Sequence, residues 1–189
     1  MERNEQKRMW LYALTGMLLM VTTTGFARMS YGALMPYMQE SLQLTYAQAG
    51  LLGTFVSLGY LLMVLVAGML ASRWGAKSVI LSGALLVVLC LLGLAWVPSF
   101  AWAVVMTILV GAGSAMSFVP LISLMVASFP QQRGLVLGFL LSGSGIAMLL
   151  SGFIIPLQIQ FFSNYSWRFS WFLFAIVSIV AVLMAAAIL

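Results

Sequence analysis

The sequence contains no histidine and no aspartate, three glutamates, and one cysteine in 189 residues. Each scarcity excludes something. Without histidine, and with no carboxylate inside any long apolar run, general acid–base and metal chemistry lack their usual groups. An enzymatic role, a metal site and a bound cofactor are therefore not expected. A serine or threonine nucleophile would find no activating base beyond Glu40 or a chain terminus. The same absence leaves no group titrating near neutral pH to relay a proton across a membrane, so any proton coupling must use groups elsewhere. Cys90 has no partner for a disulfide within the chain and reads as a small apolar side chain.

Charge is scarce as well. Charged residues make up 6% of the chain and hydrophobic ones 64%, whereas a soluble domain is about a quarter charged. The apolar stretches reach or exceed the ~20 residues that cross a hydrocarbon core as helix, and the shorter alternating segments of a β-barrel are missing. The fold class is all-α integral membrane, with the lipid bilayer as solvent. A net charge of +5 does not indicate nucleic acid, because the basic residues stand singly at the ends of apolar runs, as topology signals do.

Turn and charge signals divide the chain into six spans at about 9–38, 46–70, 78–97, 101–125, 134–157 and 168–189. The first is too long for a secretory apolar region of ~7–15 residues and reads as a retained helix. The second starts at a capping box formed by Thr45 and Gln48. "VPSF" turns the chain between the third and fourth spans, and "FPQQRG" between the fourth and fifth. Arg3, Lys7, Arg8, Arg73, Lys77 and Arg133 fall on one side, with Arg168 and Glu40 on the other. By the positive-inside rule both termini are expected to be cytoplasmic, in a bacterial inner membrane. Trp10, Trp102, Tyr165, Trp167 and Trp171 fit interfacial belts.

An offset of 84 residues places Pro36 on Pro120, Gly50 on Gly134, Gly59 on Gly143 and Gly68 on Gly152. Prolines and glycines set backbone geometry and close helix approach, so these matches carry more weight than matching leucines. Residues 1–97 and 98–189 then read as two three-helix repeats in one half-domain over 9–189. Three spans is an odd number, so the second copy enters the membrane from the opposite side, which is the plan of many secondary transporters. Gly50, Gly59, Gly134, Gly143 and Gly152 are the expected helix-packing positions. The third and sixth spans are nearly uniform hydrocarbon and are expected to face lipid. The other four carry the glycines and hydroxyls and are expected to line a cavity.

Between the second and third spans stands "GMLASRWGAK". It resembles the cytoplasmic signature of the major facilitator superfamily, G-x-x-x-D-R-x-G-R-R/K, through Gly68, Arg73, Gly75 and Lys77. "LTYAQAGLLGTFVSLGYLLMVLVAGML" is similar to that superfamily's second helix, "QQRGLVLGFLLSGSGIAMLLSG" to its fifth, and "SWRFSWFLFAI" to the start of its sixth. The resemblance implies half of a twelve-helix transporter that moves a small solute by alternating access, with Arg73 and Lys77 as gate residues. Two departures qualify it. Ser72 replaces the signature aspartate that helps lock the gate, and Thr107 and Val110 stand where proton-coupled members carry Arg and Gln. The implied partner is a second six-helix half, as a missing C-terminal half of a truncated chain, a separate chain or a homodimer. A non-transporting subunit that assembles with or regulates another membrane protein is the alternative.

Arg28 is the only charged residue between Met9 and Met38. A guanidinium at helix centre costs at least ~2.5 kcal/mol on insertion scales, so something must offset it. On an α-helix Thr24, Arg28 and Tyr31 share one face, with Gly32 beside them. Two readings stay open. Arg28 grips the carboxylate or phosphate of an anionic solute with two parallel hydrogen bonds, assisted by Thr24 and Tyr31. Alternatively it snorkels to the outer interface or caps a carbonyl.

Overall fold

A computed structural model describes residues 2–161 and 166–189. Its helices are α1 (Glu2–Met20), a π-helical segment (Val21–Met29), α2 (Tyr31–Leu42), α3 (Tyr46–Trp74), α4 (Ala76–Ala95), α5 (Phe100–Ser128), α6 (Arg133–Phe161) and α7 (Ser166–Ile188). Among the described residues six helical stretches are long and apolar enough to cross a membrane. The first span, Gln6–Met29, comprises most of α1 and the π segment, with α2 following it, and the other five spans lie in α3 to α7.

The helix boundaries follow from local chemistry. Thr45 opens α3 as a complete capping box: its hydroxyl accepts from the Gln48 N–H at 3.2 Å, and its own N–H donates to Gln48 Oε1 at 2.9 Å. Gly75 alone separates α3 from α4. Its φ of +84° lies where a side chain is strained, which explains the second glycine of the signature loop. Ser99 caps α5. Most helices extend a turn beyond the apolar limits read from the sequence, because polar residues such as Arg73 and Arg133 continue them.

The first span departs from the sequence reading. It is not one α-helix over 9–38, because the ladder widens at Val21 to bonds five residues apart, ending with the Ser30 N–H on the Gly25 carbonyl at 3.0 Å. Thr22 and Thr23 donate to the Leu18 and Leu19 carbonyls at the junction and so supply bonds where the pitch changes.

Packing crosses between the two sequence halves. α3 lies along α5, and α6 lies along α1 and the π segment. A Cβ on Gly59 would sit 2.0 Å from the Ile108 carbonyl oxygen, and one on Gly111 2.0 Å from that of Val56. One on Gly143 would meet the Met17 carbonyl oxygen at 2.4 Å. The backbones approach this closely only because no side chain intervenes. Gly50, Gly134 and Gly152 differ, since a Cβ on any of them would meet nothing within 4 Å in this chain.

A second correction concerns the third span. α4 is not a broadly lipid-facing helix. It is lodged between α5 and α7 and leaves only a narrow stripe exposed, including Leu85 and Leu89. α7 keeps a broad outer face through Ile176, Ile179, Val180 and Leu183. Trp10 and Trp102 are partly exposed, but Trp167 and Trp171 are fully buried rather than interfacial. They pack with Phe174 and Phe26, whose rings stack at 4.2 Å. Tyr165 lies outside the described residues.

α4 and α7 are joined at both ends. Lys77 at the start of α4 donates to the Ala186 carbonyl near the end of α7 at 2.9 Å. Arg168 at the start of α7 donates to the Ala95 and Val97 carbonyls past the end of α4, at 3.1 and 3.0 Å. Each cation satisfies carbonyls that a helix end leaves without partners and sits at the negative end of its dipole. Arg168→Gln is expected to lower the melting temperature in detergent, because two partly buried carbonyls lose charged donors worth about 1.5–3 kcal/mol each. Lys77→Gln, at an exposed bond, is expected to shift it by less than half as much.

Candidate functional site

Arg28 leaves the π segment near its C-terminal end, and its guanidinium carbon lies 3.9 Å from the centroid of the Tyr60 ring. Tyr60 is the central residue of the 29-residue α3. The cation therefore reaches the mid-depth of the second span rather than its outer end. A cation over a ring face is a favourable cation–π arrangement. Among the described residues the guanidinium makes no ion pair and no hydrogen bond.

Neither the Thr24 nor the Tyr31 hydroxyl bonds to Arg28 in this chain. Thr24 is buried with its hydroxyl 3.7 Å from the Met20 sulfur. Tyr31 is buried, and its hydroxyl donates to the Met35 sulfur at 3.0 Å and the Ala49 carbonyl at 3.4 Å. Both hydroxyls are engaged in helix packing. The π segment widens the turn, which keeps Thr24 and Arg28 near one face but carries Tyr31 away from Thr24. A Cβ on Gly32 would meet nothing within 4 Å.

Tyr60 is the neighbour that the sequence did not single out. The signal for it was its place at the middle of the second span, directly after Gly59.

The wider polar set separates into buried and open members. Ser114 and Ser117 are buried and donate to carbonyls within α5, and Ser117 also reaches the Ile80 carbonyl. Ser30 and Ser151 meet at 2.5 Å and tie the first span to α6. Thr54, Ser57 and Ser142 are exposed, and each returns its hydroxyl to its own helix.

The signature loop divides similarly. Arg73 is exposed, Lys77 is bonded to the end of α7, and a Cβ on Gly68 would meet open space. Ser72, where the signature has aspartate, donates to the Met69 carbonyl at 2.8 Å and adds no charge to the loop.

No curated protein matches the chain by sequence. A family model described as Major Facilitator Superfamily matches residues 17–189, almost the whole of the helical bundle. The chain belongs to the Major Facilitator Superfamily and is a multi-pass protein of membrane transport.

Proposed function

We propose that this chain is a six-helix half of a secondary transporter that carries a small anionic solute by alternating access, with Arg28 as the anion-binding residue. One observation carries the reading: a permanent cation beside Tyr60, at the level of the centre of α3, with no acidic partner and no hydrogen bond among the described residues. A carboxylate or phosphate would match the guanidinium N–H edge with two parallel bonds in a medium where each is stronger than in water.

The same reading takes the half as two inverted three-helix repeats. Gly59 and Gly143, equivalent at the 84-residue offset, each sit where a helix of one sequence half crosses a helix of the other. It also requires a second six-helix unit. α3 and α6 are the least buried spans, at 17% and 28%, yet they carry Thr54, Ser57 and Ser142 on their open faces. Polar groups at membrane depth face protein or water, which fits a face that closes on another unit. Both termini are taken as cytoplasmic on the distribution of basic residues.

The test is uptake by the full chain in liposomes, with labelled acetate, lactate, succinate and phosphate, and glucose as the uncharged comparison. Saturable uptake of at least one anion, with none of glucose, is the expected result. Native mass measurement of the same preparation is expected to show an assembly containing two six-helix units. Uptake of an uncharged solute that is indifferent to Arg28 would overturn the assignment.

A further inference from the structure

The geometry points to Tyr60 as a specificity-determining residue of this site: its ring covers one face of the Arg28 guanidinium, so that the plane of the cation is held and a planar carboxylate is received edge-on. The inference rests on the reading of Arg28 as an anion-binding residue. The guanidinium carbon stands 3.9 Å from the ring centroid, well inside the ~6 Å over which a ring attracts a cation.

Tyr60 is firmly placed to do this. A Cβ on Gly111 would lie 2.7 Å from the Tyr60 backbone nitrogen, so α5 backs directly onto the main chain that carries the ring. Phe118, one helix over, meets the ring edge-on with centroids 6.4 Å apart. Three elements thus share the site. The π segment supplies the cation, α3 the ring and α5 the support.

The choice of an aromatic neighbour has a chemical consequence. A carboxylate beside Arg28 would satisfy the same N–H edge that an anionic solute needs and would compete for it. A ring attracts the cation through its face and leaves that edge unoccupied. With one face covered, a planar carboxylate can pair with the N–H edge without directing an oxygen toward the ring, whereas a tetrahedral oxyanion paired at the same edge carries further oxygens out of the guanidinium plane.

Thermal-shift titration of the purified full chain in lipid nanodiscs tests this, with acetate, lactate, succinate and benzoate as probes and phosphate and sulfate for comparison. At least one carboxylate is expected to raise the melting temperature of the native chain but not of Arg28→Gln. For that probe, Tyr60→Leu is expected to weaken the apparent Kd about tenfold, Tyr60→Phe to stay within about twofold, and Tyr60→Trp to match or exceed the native chain. A ligand-free melting temperature near the native value shows that Tyr60→Leu is folded; if it does not fold, the order of Trp, native and Phe decides.

Native-like binding by Tyr60→Leu, with loss in Arg28→Gln, would overturn the role of Tyr60 and leave that of Arg28 standing. Equal losses in Tyr60→Phe and Tyr60→Leu would assign the effect to the hydroxyl and overturn the ring's role. Phosphate or sulfate bound in preference to every carboxylate would overturn the carboxylate assignment. If no probe shows Arg28-dependent binding, the anion-site reading itself fails.

Discussion

Arg28→Gln is expected to lower saturable anion uptake at least about 100-fold, because it removes both the charge and the paired donors. Arg28→Lys keeps the charge and loses the planar fork, so a loss of about tenfold, seen chiefly in apparent affinity, is expected. Stability should move the other way. A guanidinium at membrane mid-depth costs at least ~2.5 kcal/mol by insertion scales, and the ring of Tyr60 returns only part of that. Arg28→Gln should therefore melt at or above the native temperature while failing to transport. That combination marks a residue kept for function at a cost to the fold. A variant that both transports normally and melts lower would show Arg28 to be a packing residue. Uptake in liposomes and thermal unfolding of the same preparations decide between them.

Gly59→Ala is expected to be among the most destabilising single changes in the bundle. The added methyl would stand 2.0 Å from the Ile108 carbonyl oxygen and 2.9 Å from its carbonyl carbon. Backbone atoms cannot rotate away as a side chain can, so α3 and α5 must separate along a crossing that both helices share. Overpacking a core commonly costs about 1–3 kcal/mol, and a clash with main chain belongs at or above the top of that range. Gly111→Ala, which would contact Val56 and Tyr60 from the other side, is expected to behave alike. Gly50→Ala, Gly134→Ala and Gly152→Ala serve as controls. All three open onto space in this chain, and alanine is the better helix former by about 1 kcal/mol, so unchanged or higher melting is expected. A similar loss in all five variants would remove the distinction between crossing and open glycines.

Much of the architecture was legible in the sequence because membrane helices are written in composition. Six spans and the Thr45 capping box follow from length, apolarity and local backbone rules, whereas the apolar limits leave a loop from 71 to 77 where the chain breaks at the single residue Gly75. The less legible features depend on what lies opposite a residue. Periodicity gave Gly50 and Gly59 the same standing, and only the position of α5 separates them. Uniform hydrocarbon in α4 suits lipid and protein interior equally well, so composition could not show that α4 is enclosed. Trp167 and Trp171 resembled belt residues because they stand near a span end, yet they turn inward onto Phe174.

The candidate site shows the same division. Arg28 stood out as a lone charge in an apolar run. The surroundings of Arg28 were less legible, because the α-helical angle used to place Tyr31 beside Thr24 does not hold through a π segment. Nothing in "VTTTGFARM" demands that widening on its own. It depends on threonine hydroxyls turning back to Leu18 and Leu19, and on Gly25 meeting Ala147 across to α6. Tyr60 required knowledge of where α3 runs relative to the first span.

The bonds made by Lys77 and Arg168 also bear on movement. Two antiparallel rods pinned at opposite ends cannot slide lengthwise without breaking one fastening, since either direction of travel draws a cation away from its carbonyls. The α4–α7 pair is thus built to tilt as a single body. Rearrangement during a transport cycle would fall instead to the loosely covered side presented by α3 and α6, or to the widened turn that carries Arg28.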